Sequence, residues 1–390
     1  MFGRFRRLAR MRAAEAKASA AGPLIALHQA GRPRWTPRDY ANLAREGFVK
    51  NPVAYRAVAM IAQAAASVRF LVYDGAAEAA DHPLARLLER PNPVQTRSVF
   101  LEQVYAGLLI AGNAYVEAVR LDGLVRELYA LRADRMRAVP GRDGWPEAYV
   151  YAVAGREAKL AREADGFLPV LHVRLFHPAD DHYGLSPLEP AAQAVDLHNA
   201  MAAWNKALLD NAARPSGALI YRGAPGAENL SDEQYERLKA ELENGRSGPR
   251  GAGRPLLLEG GLEWRPMSLT PQEMDFETGR NAAARDIAMA FGVPPMLLGI
   301  PGDATYANYE AANLAFWRQT VLPLAGRLAE ALGAWLAPPG EDAVRLGLDE
   351  DAVPALRAER ATLWAQLEAA SFIGRDEKRA AVGYGPEETP

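Results

Sequence analysis

The sequence predicts an α+β chain, and three observations carry that reading. Short alternating runs of apolar and polar residues, bounded by turn signals, crowd the stretch before residue 180. Long runs with a helical period take over after Gly184. A small unit of strands around a helix then interrupts the long helices over Ser216–Arg265. The composition is that of a folded protein, with 390 residues, 49% hydrophobic and 24% charged. At roughly 100–200 residues per domain, this length corresponds to two or three domains.

Several function classes fall away at once. No cysteine occurs, which excludes a disulfide framework, a thiolate zinc site and a Cys nucleophile. Lys and Arg number 45 against 48 Asp and Glu, for a formal net charge of −3. Proteins that hold DNA tightly are basic, because affinity comes from neutralised phosphates. The balance therefore argues against a sequence-specific DNA binder. A membrane-spanning helix needs about 20 mostly apolar residues. The most apolar stretches, Ala57–Val68 and Val104–Ala111, are shorter and are broken by Gln63 and Gly107. Residues 1–34 carry Arg4, Arg6, Arg7, Arg10 and Arg12, and Glu15 and Lys17 interrupt the alanine-rich run behind them. They read as a mobile basic arm and not as a secretory segment.

The elements come in order along the chain. Val53, Ala57, Met60, Ile61 and Ala64 share one helical face over Pro52–Ala66. Val68–Tyr73 is a strand, Pro91-Asn92-Pro93 a rigid break, and a helix starts near Ser98. Ala114–Leu121 and Val125–Leu131 flank Asp122-Gly123, a hairpin signal. Further strands are expected at Ala148–Val153 and Pro169–Phe176. Pro187–Asn211 reads as one long helix whose apolar residues are spread too widely for a single surface stripe.

In the inserted unit, Ser231 and Gln234 form a capping box, with Leu230 and Tyr235 as hydrophobic staple. Tyr235, Leu238 and Leu242 are its expected buried face. A second box, Thr270 to Glu273 with Pro271 at the first helical position, predicts a helix to Phe291. That helix is polar on most faces. The last long helix, from about Thr305 to Leu336, is expected to kink at Pro323, which removes a hydrogen bond and crowds the preceding turn.

Chemical motifs are few. No glycine precedes a lysine, so a P-loop is excluded, and neither HExxH nor G-x-S-x-G occurs. His172, His177, Asp180, Asp181 and His182 are suitable metal-ligand types, yet their spacing matches strand-end and loop residues better. Gly248–Arg254 reads as an exposed loop.

The run from Phe291 to Gly299 (FGVPPMLLG), then Thr305–Glu310 (TYANYE) and Asn313–Phe316 (NLAF), resembles the signature of HK97-type phage portal proteins. Pro91-Asn92-Pro93, Gly112-Asn113-Ala114-Tyr115, Gly184-Leu185-Ser186-Pro187-Leu188 and Asp376-Glu377-Lys378-Arg379 fit the same family in order. The resemblance spans roughly residues 40–385, and the short chain is similar to the compact portals of phage-like gene transfer particles.

The resemblance implies a homo-oligomeric ring, a dodecamer, at one capsid vertex of a virion or phage-like particle assembled in the bacterial cytoplasm. Double-stranded DNA would pass through it without sequence specificity. The major capsid protein, the terminase large subunit and a head–tail adaptor protein would be its partners. Residues 1–34 would be the arm, 35–190 an α+β wing, 191–214 a first stem helix, 215–270 a clip and 271–292 a second stem helix. Residues 293–308 would form the tunnel-loop region, 309–345 a long kinked wing helix, and 346–390 a crown and tail.

The tunnel loop would then present Gly302, Asp303, Ala304, Thr305, Tyr306 and Asn308. The stem would face the channel with Asp275, Glu277, Arg280, Arg285 and Asp286, and the clip would dock partners through Arg246, Arg250 and Arg254. No catalytic residue, metal, cofactor or membrane contact is assigned. Two other readings stay open on the residues alone. One is a metal-dependent hydrolase using His172, His177 and His182, the other a non-ring scaffolding or adaptor protein.

Overall fold

A computed structural model describes residues 35–75, 77–210, 217–222, 230–244, 262–266, 275–302, 305–337 and 344–385. The basic arm, the Thr270–Glu273 capping box, the strand expected at Leu256–Glu259 and the Gly248–Arg254 loop lie outside them. Helix α1 (Pro52–Ser67) opens at Asn51, whose Oδ1 accepts from Val53 N and Ala54 N at 3.0 Å each. Its buried face is largely alanine (Ala54, Ala57, Ala62, Ala65) with Val58 and Ile61. Such short side chains let a neighbouring helix come close. Strand β1 (Phe70–Asp74) is next, then α2 (Arg97–Ala111), which packs Phe100, Leu101, Val104 and Leu108 into the same core as α1.

Strands β2 (Asn113–Leu121) and β3 (Leu124–Leu131) form the expected hairpin, with Asp122 and Gly123 both at positive φ, 53° and 79°. Beyond it come β4 (Met136–Pro140), β5 (Pro146–Val153), β6 (Arg156–Ala161) and β7 (Val170–Arg174). Two antiparallel sheets result, ordered β3-β2-β7 and β4-β5-β6. Strand β6 escapes the sequence pattern for a physical reason. It is an exposed edge carrying Arg156, Glu157 and Lys159, and charges on an edge block further pairing while erasing the apolar alternation.

Helix α3 (Leu188–Asp210) buries Leu188, Ala191, Ala192, Val195 and His198 in its first half, while Leu197 and Trp204 are exposed in this chain. The inserted unit comprises β8 (Gly217–Tyr221), α4 (Asp232–Asn244) and β9 (Leu262–Pro266), with β8 and β9 paired antiparallel. The capping box is present: Gln234 N donates to Ser231 Oγ at 3.2 Å and Ser231 N to Gln234 Oε1 at 3.0 Å. The expected burial of Tyr235 is not, since that ring is 56% exposed. Among the described residues nothing covers the α4 stripe at this position.

Asp275 takes a left-handed conformation (φ 47°), and helix α5 follows it over Phe276–Ala290. Its Gly279 faces the tip of Met201 on α3, 2.9 Å from where a Cβ would stand. The open side of this glycine is therefore packing space between α3 and α5, whose Trp204 and Phe276 rings also meet at 6.2 Å.

Helices α6 (Tyr306–Phe316) and α7 (Leu322–Leu336) are joined by a π-helical segment, Trp317–Val321. Leu322 N donates to Trp317 O, five residues back. This wider turn accommodates Pro323, which would otherwise crowd the carbonyl four residues before it. After α7 the chain returns as β10 (Val344–Leu348), antiparallel to β1 from Phe70↔Leu348 to Asp74↔Val344. The boundary expected between 345 and 346 falls within β10, the strand that pairs with β1. Helices α8 (Arg357–Ala369) and α9 (Arg375–Ala381) end the described chain. Leu356 is buried just before α8, whereas Phe372, after it, is exposed.

Candidate functional site

The short motifs turn out to be joints of the backbone. Gly112 ends α2 at φ 71° and lies back to back with Gly184. Leu175 N donates to Gly112 O at 2.9 Å. A Cβ on Gly112 would stand 2.6 Å from the carbonyl carbons of Gly184 and Leu185, and one on Gly184 2.6 Å from Leu175 N. Asn113 locks the same junction: its Oδ1 accepts from Gly184 N at 2.8 Å and its Nδ2 donates to Ala111 O at 2.7 Å. Ser186 Oγ donates to Leu109 O at 3.1 Å and accepts from Leu188 N at 3.0 Å, tying the start of α3 to α2. Two motifs whose bonded residues stand 71 positions apart thus form one contact. In Pro91-Asn92-Pro93, the buried Asn92 accepts from Gln95 N at 2.8 Å and donates to Leu128 O at 2.9 Å, fixing β3.

The histidine cluster is structural. His172 on β7 stacks on Tyr115 at 4.2 Å between ring centres. Its Nε2 is 2.9 Å from Asn113 Oδ1, an oxygen already accepting from Gly184 N, so Nε2 carries the proton and donates. Nδ1 then accepts from Tyr149 OH at 3.3 Å. Both nitrogens are engaged, which leaves no lone pair for a metal. His177 Nδ1 accepts from Ala179 N at 3.0 Å, and Asp180 Oδ1 from His182 N at 2.8 Å, as ordinary turn contacts. Among the described residues no three His, Asp or Glu side chains are placed to share an ion.

Burial, then the nearby charges of Arg174 and His182, push the His172 pKa down to about 3. The unfolded chain takes up this proton below about pH 6.5 and the folded chain does not. Stability is therefore untouched above that pH and falls between about 6.5 and 3. Between pH 7.5 and 5 we expect a loss of about 2 kcal/mol from this one group. Urea unfolding at both values, for the natural chain and for His172→Gln, measures it. Equal pH dependence in the two would mean that the imidazole is charged in the fold.

The residues assigned to the stem and loop are spread along one continuous path. Asp275, Glu277, Arg280, Arg285 and Asp286 are all exposed on or beside α5, whose Ala283, Ala284, Ile287 and Ala288 face inward. The five charges differ in what they touch. Arg280 Nε lies 3.2 Å from Nε2 of the buried His198 on α3, whose Nδ1 is 3.2 Å from Asn51 Nδ2. Burial first, and Arg280 second, lower the His198 pKa. Arg285 Nη2 donates to Pro301 O. The three carboxylates have no ion-pair partner among the described residues.

After α5, Gly292 at φ 66° lies against Thr320, whose hydroxyl donates to Gly292 O at 2.6 Å. Val293 is buried, Pro295–Leu298 forms a single 3-10 turn, and Gly302 is exposed. Thr305 caps α6 by accepting from Asn308 N at 3.3 Å, and Asn308 is exposed on the first turn. Tyr306 is the first residue of α6; its side chain, with Asp303, Ala304, Arg246, Arg250 and Arg254, lies outside the described residues. The Asn51–His198–Arg280 contact was not visible in the sequence. Asn51-Pro52 is a helix-start signal, but nothing in spacing shows a histidine 147 positions away meeting it.

The sequence profile of phage portal proteins matches residues 52–383. The chain belongs to the phage portal protein family. A protein of Rickettsia bellii (strain RML369-C) is 42% identical over 342 residues, 87% of this chain and 88% of that one. The portal protein of Enterobacteria phage HK97 is 27% identical over 297 residues, 75% of this chain and 67% of that one. Among solved structures, a chain in the neck of an empty gene transfer agent particle, computed with C6 symmetry, superposes with TM-score 0.71 at 52% identity, over 92% of this chain and 96% of that one. A chain in the neck of the native particle, computed with C12 symmetry, gives TM-score 0.69 at 51% identity, over 92% and 97%.

Proposed function

We propose that this chain forms a twelve-membered ring at a single vertex of a phage-like particle and acts there as a non-enzymatic conduit for double-stranded DNA during packaging and ejection. The observation that carries this is the match over nearly the whole chain to a subunit from a particle neck computed with twelvefold symmetry. The terminase large subunit and a head–tail adaptor dock on the clip, including Arg246, Arg250 and Arg254, and the major capsid protein surrounds the wing. The wing comprises about 35–190 and the helices after residue 305, and it extends through β10, which pairs with β1.

Helix α5 and the second half of α3 are the stem, and 293–308 is the loop that narrows the channel. Charge supports this role. DNA carries one phosphate charge per about 1.7 Å, and a basic lining would retain it. On α5 the two arginines are tied to His198 and Pro301, whereas Asp275, Glu277 and Asp286 are left to face outward. The hydrolase reading has lost its central ligand, His172, to the core.

Electron microscopy and native mass spectrometry of the purified chain test the assembly. The expected result is a ring of about a dozen subunits with a central hole. A compact monomer that stays monomeric when mixed with capsid protein would refute it.

A further inference from the structure

A side chain of the stem helix reaches the loop at Pro301–Gly302. Arg285 sits in the third turn of α5 and is exposed, yet its Nη2 reaches sixteen positions ahead to the carbonyl of Pro301. Proline has no N–H to donate, but its carbonyl keeps full accepting capacity and takes the guanidinium N–H. The next residue makes room for the contact. A Cβ on Gly302 would stand 2.5 Å from Arg285 Nη2 and 3.5 Å from Cζ, and Gly302 has no positive φ that would otherwise require glycine. Space for the guanidinium is what this glycine supplies. Five residues earlier on the same helix, Arg280 reaches back to His198 on α3. Helix α5 therefore carries one guanidinium tie to the body and one to the loop.

We infer that Arg285 is a positioning residue that couples the loop root to α5, so that a displacement of this helix carries Pro301 and Gly302 with it. The inference rests on the reading of 293–308 as the channel loop. It assigns that loop a mechanical connection to the stem. Arginine suits the task because its planar fork can hold a carbonyl with one N–H while other donors remain for water or for a passing phosphate.

Two substitutions break the same tie from opposite ends. Arg285→Gln removes the donor, and Gly302→Ala evicts it. The evicted atom is the tip of a flexible side chain, so the alanine places no strain on the backbone. Both changes are exposed, and neither threatens folding. The measurement is amide hydrogen exchange in the full-length assembled protein, read on the peptide that carries Gly302, with DNA-filled particle yield scored in parallel.

Each single variant is expected to speed exchange of that peptide about fivefold, the effect of one lost hydrogen bond. The double variant should be no faster than either single, because both remove one interaction. Arg285→Lys, which can still reach a carbonyl, should restore part of the protection. Multiplying effects in the double variant, or no change in either single, overturns the tie. Faster exchange together with unchanged particle yield would keep the tie and overturn the reading of this loop as part of the DNA channel.

Discussion

Gly112→Ala is expected to destabilise the protein by about 4 kcal/mol or more, at the diagnostic end of what single substitutions do. Two effects add. Gly112 holds φ at 71°, where an alanine is strained by about 1 kcal/mol. The larger effect is overlap. The new Cβ would meet two backbone carbonyl carbons at 2.6 Å, and backbone, unlike a side-chain tip, cannot swing aside. Relief would require separating α2 from the Gly184–Leu188 turn. That would in turn break Gly184 N to Asn113 Oδ1 and Leu175 N to Gly112 O. Gly184→Ala should behave alike, since its Cβ would meet Leu175 N at 2.6 Å.

Gly155→Ala is the control. It also has positive φ (77°), but nothing stands within 4 Å of its would-be Cβ, so its loss should stay near 1 kcal/mol. Urea unfolding of the three variants measures the contrast. A Gly112→Ala loss no larger than that of Gly155→Ala would show that the two segments are not in contact as described. The joint brings together two of the motifs on which the family resemblance rests. Their place in the pattern is thus explained by backbone packing and not by chemistry on a substrate.

Much of the fold was legible because local signals coincide with local structure. Asp122-Gly123 sets its own hairpin geometry, and Ser231 and Gln234 cap a helix without help from elsewhere. The failures are equally specific. Strand β6 is charged because it is an edge, and β10 is defined by a partner strand some 270 residues earlier. The left-handed Asp275 just before α5 has no signal in the helical pattern of its neighbours. Tyr235 has the spacing of a buried residue, but the described residues of the chain do not bury it.

The candidate site was legible as a region and not as contacts. Helical periodicity places Arg280 and Arg285 on the polar surface of α5, and they are there. It cannot show that the long side chains double back to His198 and Pro301. That reach changes how the charge on the face is distributed. Guanidinium groups are held against intrachain partners, while the carboxylates of Asp275, Glu277 and Asp286 are exposed and have no ion-pair partner among the described residues.

Replacing Asp275, Glu277 and Asp286 together by lysine should therefore cut the yield of DNA-filled particles by about tenfold or more at low salt. Counterion release sets the size of the effect. Each lysine that engages a phosphate adds close to one ion to the salt dependence of DNA retention. In the proposed ring of about a dozen copies the change is repeated around the channel. Between roughly 50 and 200 mM salt, several such contacts weaken by orders of magnitude, so the packaging defect should shrink as salt rises.

Folding cannot account for such a loss. All three positions are exposed, where substitutions usually change stability by under about 0.5 kcal/mol. Glu277, in the first turn of α5, and Asp275, at its N-cap, each add a helix-dipole contribution of about 0.3–1 kcal/mol, and Asp275 also tolerates its left-handed φ of 47° better than lysine does. The neutral set, Asp275→Asn with Glu277→Gln and Asp286→Asn, should fall between the natural chain and the lysine set, because it removes repulsion without adding attraction. In vitro packaging with each set across that salt range decides the matter. A defect that ignores ionic strength would locate the fault in assembly or partner docking. A ring that packages normally with all three lysines would remove α5 from the channel wall.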